Sequence, residues 1–90
     1  MKTILKYEDA GHGWYAIEKD YLKTLKIEDK ISSYSYEKGN LAYLEEDCDA
    51  SLLLDAMDNN KIEYTIQRIY HDHSPVRGYR NYIKREERVA

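Results

Sequence analysis

Between residues 62 and 67 the chain alternates strictly: Ile62, Tyr64 and Ile66 are apolar, while Glu63, Thr65 and Gln67 are polar. A period of two belongs to an extended strand with one buried face, because successive side chains point to opposite sides of the pleat. The apolar character runs on to Tyr70, so the pattern predicts a strand over 62–70 and commits the chain to a sheet.

Shorter extended stretches at 3–8 and 14–17 flank Asp9-Ala10-Gly11-His12-Gly13, which reads as a turn or loop. Two more, 31–37 and 41–46, surround Lys38-Gly39-Asn40. Gly39 and Asn40 tolerate positive φ, so a hairpin is expected there. Tyr21, Leu22 and Leu25 fall at helical spacing within 19–26. Leu52, Leu53, Leu54, Ala56 and Met57 make the apolar face of a second helix, with Asp47 or Asp49 as its cap and Asn59-Asn60 at its end. Ser74-Pro75 is a helix-start pair, but Gly78 limits it to a single turn. The predicted order is β, β, α, β-hairpin, α, β, tail. That is an α+β fold: a small, largely antiparallel sheet with two short helices on one face.

Ninety residues suit one domain, expected over 1–83, with 84–90 as a charged tail that frays. So small a core favours a homo-oligomer. No apolar run reaches the roughly 20 residues a membrane helix needs, and the first residues turn polar too soon for a secretory signal. The single Cys48 excludes an internal disulfide framework. These features predict a cytoplasmic protein.

Every arginine lies in the last 23 residues: Arg68, Arg77, Arg80, Arg85 and Arg88. Residues 1–67 carry eight lysines against fourteen acidic groups, net −6; residues 68–90 carry six cations against three acids, net +3. Most of the chain would repel phosphate, so a duplex nucleic-acid partner is not expected. One local anion site on a mildly acidic body fits better. Ten tyrosines and no phenylalanine add flat faces with polar tips, suited to stacking sites, wet interfaces or simply the core.

Four groups carry candidate chemistry. In Gly11-His12-Gly13-Trp14 two glycines let the backbone turn sharply around an imidazole, and Trp14 offers a stacking face; a plain turn beside a core tryptophan gives the same sequence. In Arg77-Gly78-Tyr79-Arg80 a helical turn begun at Ser74-Pro75 would offer amides to an anion, with Arg77 and Arg80 on one face and Tyr79, Tyr82 or Trp14 stacking on a base. The alternative there is a basic tail paired with the domain's own acids. His71 and His73 face one side of an extended chain and are weak candidates for a metal, with His12 or Asp72 as third ligand; no complete metal motif supports them. Cys48 sits near a helix start, but Glu45, Glu46, Asp47 and Asp49 oppose its thiolate. The acidic run Glu45-Glu46-Asp47 has no calcium-loop spacing and reads as capping and solubility.

The stretches 11–14, 30–36, 43–51 and 74–79, with their GHGW and YLEEDCDAS segments, resemble recurring segments of small uncharacterised proteins encoded by phages and prophages. The resemblance spans most of the chain. It implies a phage accessory protein acting in the host cytoplasm, of a class that counters host defence by sequestering a nucleotide signal or blocking an effector. Relatives of this kind would open the first helix with proline, where this chain has Ile17-Glu18-Lys19.

Three functional expectations result. The first is a non-catalytic binder of a small phosphorylated, nucleotide-like ligand, with no cofactor, using His12, Trp14, Arg77, Tyr79, Arg80 and Tyr82. The second is a protein–protein inhibitor of a host effector, anchored by tyrosine and arginine. The third is a small metal-dependent nuclease or hydrolase built on His12, His71 and His73; with no complete nucleophile–base or metal constellation, an enzyme is the least favoured.

Overall fold

A computed structural model describes residues 1–83 of the chain. The loop at 9–12 returns the chain on itself, so β1 (Lys2–Glu8) and β2 (Gly13–Glu18) pair antiparallel, Tyr7 opposite Trp14. After α1 (Lys19–Thr24), β3 (Tyr36–Lys38) and β4 (Leu41–Glu45) form the expected hairpin. Gly39 takes φ +60 at the first loop position and no positive φ occurs at Asn40, the pattern of a type II′ turn. Following α2 (Ala50–Asn59), β5 (Tyr64–Tyr70) returns beside β1. A single 3-10 turn (Pro75–Gly78) leads into β6 (Arg80–Asn81), a two-residue strand against β3 that no sequence pattern announced.

The sheet order is β5-β1-β2-β4-β3-β6. It is mixed: β5 runs parallel to β1, with Ile4 opposite Ile66, while the other four pairings are antiparallel. The crossover that a parallel pair demands is the rest of the domain, everything between β1 and β5. The described residues thus make a small α+β fold, and no helix among them is long and apolar enough to cross a membrane.

Alternation along the strands sorts two apolar clusters. Ile4, Ile17, Ala42 and Leu44 share one buried cluster with Leu22 of α1 and with Leu53 and Met57 of α2. Fully burying a Leu or Met side chain stabilises by roughly 1.5–3 kcal/mol, so this cluster carries most of the fold. The intervening strand residues Trp14 and Tyr43 form a second cluster with Val76, flanked by Tyr7, Tyr36 and Tyr79. Tyr82, just past β6, returns to the first cluster and is 5% exposed.

Both helices end in the same way. Ile27 N–H donates to Leu22 C=O, and Lys26 N–H to Lys23 C=O; Ile62 N–H donates to Met57 C=O, and Lys61 N–H to Asp58 C=O. These are Schellman closures, each with an apolar contact across it. The left-handed position is filled by lysine rather than glycine, Lys26 at φ 62 and Lys61 at φ 56. The second helix thus ends at Asn59 with Asn60 as its C-cap, as the Asn59-Asn60 pair predicted, and Lys61 supplies the left-handed residue just beyond.

Two expectations need correction. Residues 31–35 are not strand: the carboxylate of Asp49 accepts from Ser32 N–H (3.1 Å), Ser32 Oγ (2.8 Å) and Ser35 Oγ, and this draws the segment into a turn before β3. For the same reason Asp49, although at the N-cap position of α2, makes no side-chain cap bond. The tail expected to fray, 84–90, lies outside the described residues.

Candidate functional site

Asp9 organises the glycine bend. Its backbone N–H donates to His12 C=O, and its Oδ1 accepts from the N–H groups of Gly11 and His12, both at 3.0 Å. This is an Asx-type turn, in which a carboxylate replaces backbone acceptors. The same carboxylate reaches across the fold to Arg77, whose Nε donates to Oδ2 at 2.6 Å and whose Nη2 donates to Oδ1 at 3.0 Å. The side chain of Asp9 is only 4% exposed while that of Arg77 is 47% exposed, so this is a two-point pair buried on its carboxylate side. Arg77 holds the Asp9 carboxyl well below the usual carboxylate range, and the Asp9 carboxylate raises Arg77 in return.

Held there, the Arg77 guanidinium stands 5.3 Å from the centre of the Trp14 ring. Asp9 occupies two of its five N–H donors, which leaves three for another acceptor. Trp14 is 2% exposed, and its ring meets His12 at 5.9 Å and Tyr36, edge-on, at 6.2 Å. Around these groups opens a cavity of about 340 Å³ lined by His12, Trp14, Tyr34, Tyr36, Glu45, Asp47, Cys48 and Arg77. The volume lies near the lower end of small-ligand sites, roughly 300–1,000 Å³.

The cavity also contains acids. Glu45, on β4 and nearly buried, accepts from the Asp47 N–H through Oε1 at 2.6 Å, which turns Oε2 toward His12 Nδ1 at 3.2 Å. Desolvation of the Cys48 thiol, reinforced by Glu45 and Asp49, pushes it up and keeps it a thiol at neutral pH. Cys48 is not an activated nucleophile.

The fold brings together three of the six residues singled out from the sequence: His12, Trp14 and Arg77. Tyr79 is displaced from the cavity. Its ring packs 5.0 Å from that of Tyr43 in the second cluster, with the Lys38 ammonium 4.8 Å away. Arg80 does not share a face with Arg77, because residue 80 has left the turn and entered β6 opposite Glu37. Tyr82 is a core residue whose hydroxyl donates to Glu28 C=O. Three amides in and beside the 3-10 turn are already engaged: Val76 N–H donates to Ser74 Oγ, Arg77 N–H to Ser74 C=O and Tyr79 N–H to Val76 C=O. His71 and His73 are exposed, and among the described residues neither belongs to a metal-sized group of ligands.

Sequence reasoning missed Asp9, Tyr34, Tyr36, Glu45 and Asp47 as parts of this site. The spacing Tyr34-Ser35-Tyr36 is the one sequence signal that sets two aromatic rings close together; Asp9 reads only as part of a turn, and Glu45-Glu46-Asp47 as capping and solubility. Comparison with protein-family models, with curated proteins and with solved structures finds no match to this chain.

Proposed function

We propose that this chain is a non-catalytic binder of a small phosphorylated ligand with a planar ring, of nucleotide type. The carrying observation is Arg77, fixed by Asp9 against Trp14 with donors to spare, at the edge of an aromatic-lined cavity. Tyr34, 71% exposed, Tyr36 and Trp14 supply faces for a ring. The guanidinium supplies planar recognition of phosphate. His12, 46% exposed in its side chain, is placed to donate to a phosphate or ribose oxygen. On the resemblance to phage-encoded proteins, the ligand is a nucleotide-derived signal of host defence and the protein sequesters it. Calorimetric titration with a panel of nucleoside mono- and diphosphates tests the reading. Saturable binding by the native chain that Arg77→Ala abolishes, with the melting transition retained, supports it; equal affinity in native and variant protein rejects it.

A second reading, inhibition of a host protein by surface contact, is favoured by two large aromatic side chains left exposed, Tyr34 and Tyr70 at 71% and 59%. Recovery of one stoichiometric protein partner whose capture is lost in Tyr70→Ser, a position outside the cavity, would select this reading over the first.

A further inference from the structure

The cavity presents a contradiction for any anion. Arg77 faces it, but its charge is already balanced by Asp9, and two further carboxylates, Glu45 and Asp47, line the same space. A phosphate entering alone would meet net repulsion. The side chains that create the problem also have the composition of a cation site. One ligand atom from each of His12, Glu45 and Asp47 lies within 4.8 Å of the others.

The His12–Glu45 contact suits that interpretation as well as it suits an ion pair. At 3.2 Å, Nδ1 and Oε2 are within hydrogen-bond range and also at the spacing of two ligands on one ion. Two ligands each about 2.0–2.1 Å from a shared ion are about 2.9–3.4 Å apart, for octahedral through tetrahedral angles. The Glu45 carboxylate is held in that orientation by the Asp47 N–H on Oε1, the kind of outer contact that fixes metal ligands. Asp47 is exposed and supplies the adjustable third ligand.

The wall of the same cavity also carries an unmet donor. Among the described residues, the buried side-chain polar atom with no hydrogen-bond partner is the indole Nε1 of Trp14, a residue that lines this cavity and is 2% exposed. A buried donor without an acceptor costs about 1–3 kcal/mol. The Nε1 atom itself is closed to solvent, so an oxygen brought in on a metal ion would meet it only after the surrounding side chains shift.

We propose that His12, Glu45 and Asp47 form a site for one divalent first-row metal ion. One imidazole and two carboxylates suit zinc, manganese, iron or cobalt, with positions left open for exogenous oxygen. The ion offsets the acidic charge that weakens phosphate binding there. If the preceding reading holds, phosphate is then bridged between the ion and Arg77; the metal site itself does not depend on that reading.

Cobalt(II) alone, titrated into the native chain after chelator treatment, tests the proposal by its visible absorption. The expected result is a band saturating at one ion per chain. It is weakened at least about tenfold in each of His12→Ala and Asp47→Ala, two exposed positions, and unchanged in a His71→Ala/His73→Ala variant. No band up to about 1 mM cobalt overturns the site, as does a band indifferent to His12 and Asp47. A second titration adds a nucleoside diphosphate to the metal-loaded protein. Metal binding with no nucleotide binding refutes the ligand reading and leaves the metal site standing; nucleotide binding equally tight without any metal refutes the metal's role in admitting phosphate.

Discussion

Arg77 grips Asp9 at two points across 68 residues of sequence, and the same carboxylate fixes the two amides that shape the His12 bend. One side chain therefore sets both the position of the cation and the path of the loop opposite it. The pair acts as the hinge pin of the site.

That arrangement predicts an acid-labile site. The folded-state carboxyl of Asp9 titrates below its unfolded value of about 3.9. Its contribution is complete above that value and is lost as pH falls toward the folded-state value. Asp9→Asn keeps an acceptor for Gly11 and His12 but removes the charge. Urea midpoints measured from pH 6 to pH 2 should fall less steeply in the variant than in the native chain; parallel curves would contradict the assignment.

Among the arginines of the described residues, only Arg77 should affect a nucleotide ligand. Arg77→Ala is expected to weaken binding at least about tenfold, the value of a charge-assisted contact. Arg80→Ala, on a strand edge, should leave affinity within about twofold. Tyr82→Phe should lower stability by about 1 kcal/mol through the lost bond to Glu28 C=O, with affinity unchanged. Calorimetry on the three variants separates the roles.

Asp49 is the buried hub beneath β3. Replacing it with alanine leaves Ser32 and Ser35 hydroxyls and the Ser32 amide without their acceptor. Asp49→Ala should destabilise by about 3 kcal/mol in chemical denaturation. Asp47→Ala, exposed and outside that network, should cost less than about 0.5 kcal/mol.

The helix ends offer the opposite sign. A lysine in the left-handed region carries a penalty of about 1–2 kcal/mol that glycine avoids, partly offset by glycine's greater unfolded freedom. Lys26→Gly and Lys61→Gly should each stabilise by about 0.5–1 kcal/mol. Thermal melts of the two single variants and the double variant would show additive gains.

Much of the fold was legible because local signals agreed with it. The alternation around Tyr64, the glycine at 39 and the Ser74-Pro75 pair each correspond to the element they predicted. What could not be read were effects of distance. Asp49 is a good local cap, yet two serines fourteen and seventeen residues upstream outcompete the helix for it. Strand β5 displays its period plainly, but nothing in residues 62–70 reveals that its neighbour is β1 or that they run parallel. The site divides in the same way. His12, Trp14 and Arg77 drew notice by residue type, whereas Asp9, Glu45 and Asp47 look like ordinary surface acids until the sheet gathers them.

The stretch from Ser74 to Tyr82 lends Val76 and Tyr79 to the Trp14 cluster and Tyr82 to the Leu22 cluster, crossing from one to the other through the β3 edge. A chain cut short near residue 73 would keep α1 and α2 over the Leu22 side but would leave Trp14 and Tyr43 without Val76 and Tyr79. Synthesis order thereby leaves the Trp14 side of the sheet to be finished last, by the segment that also carries Arg77.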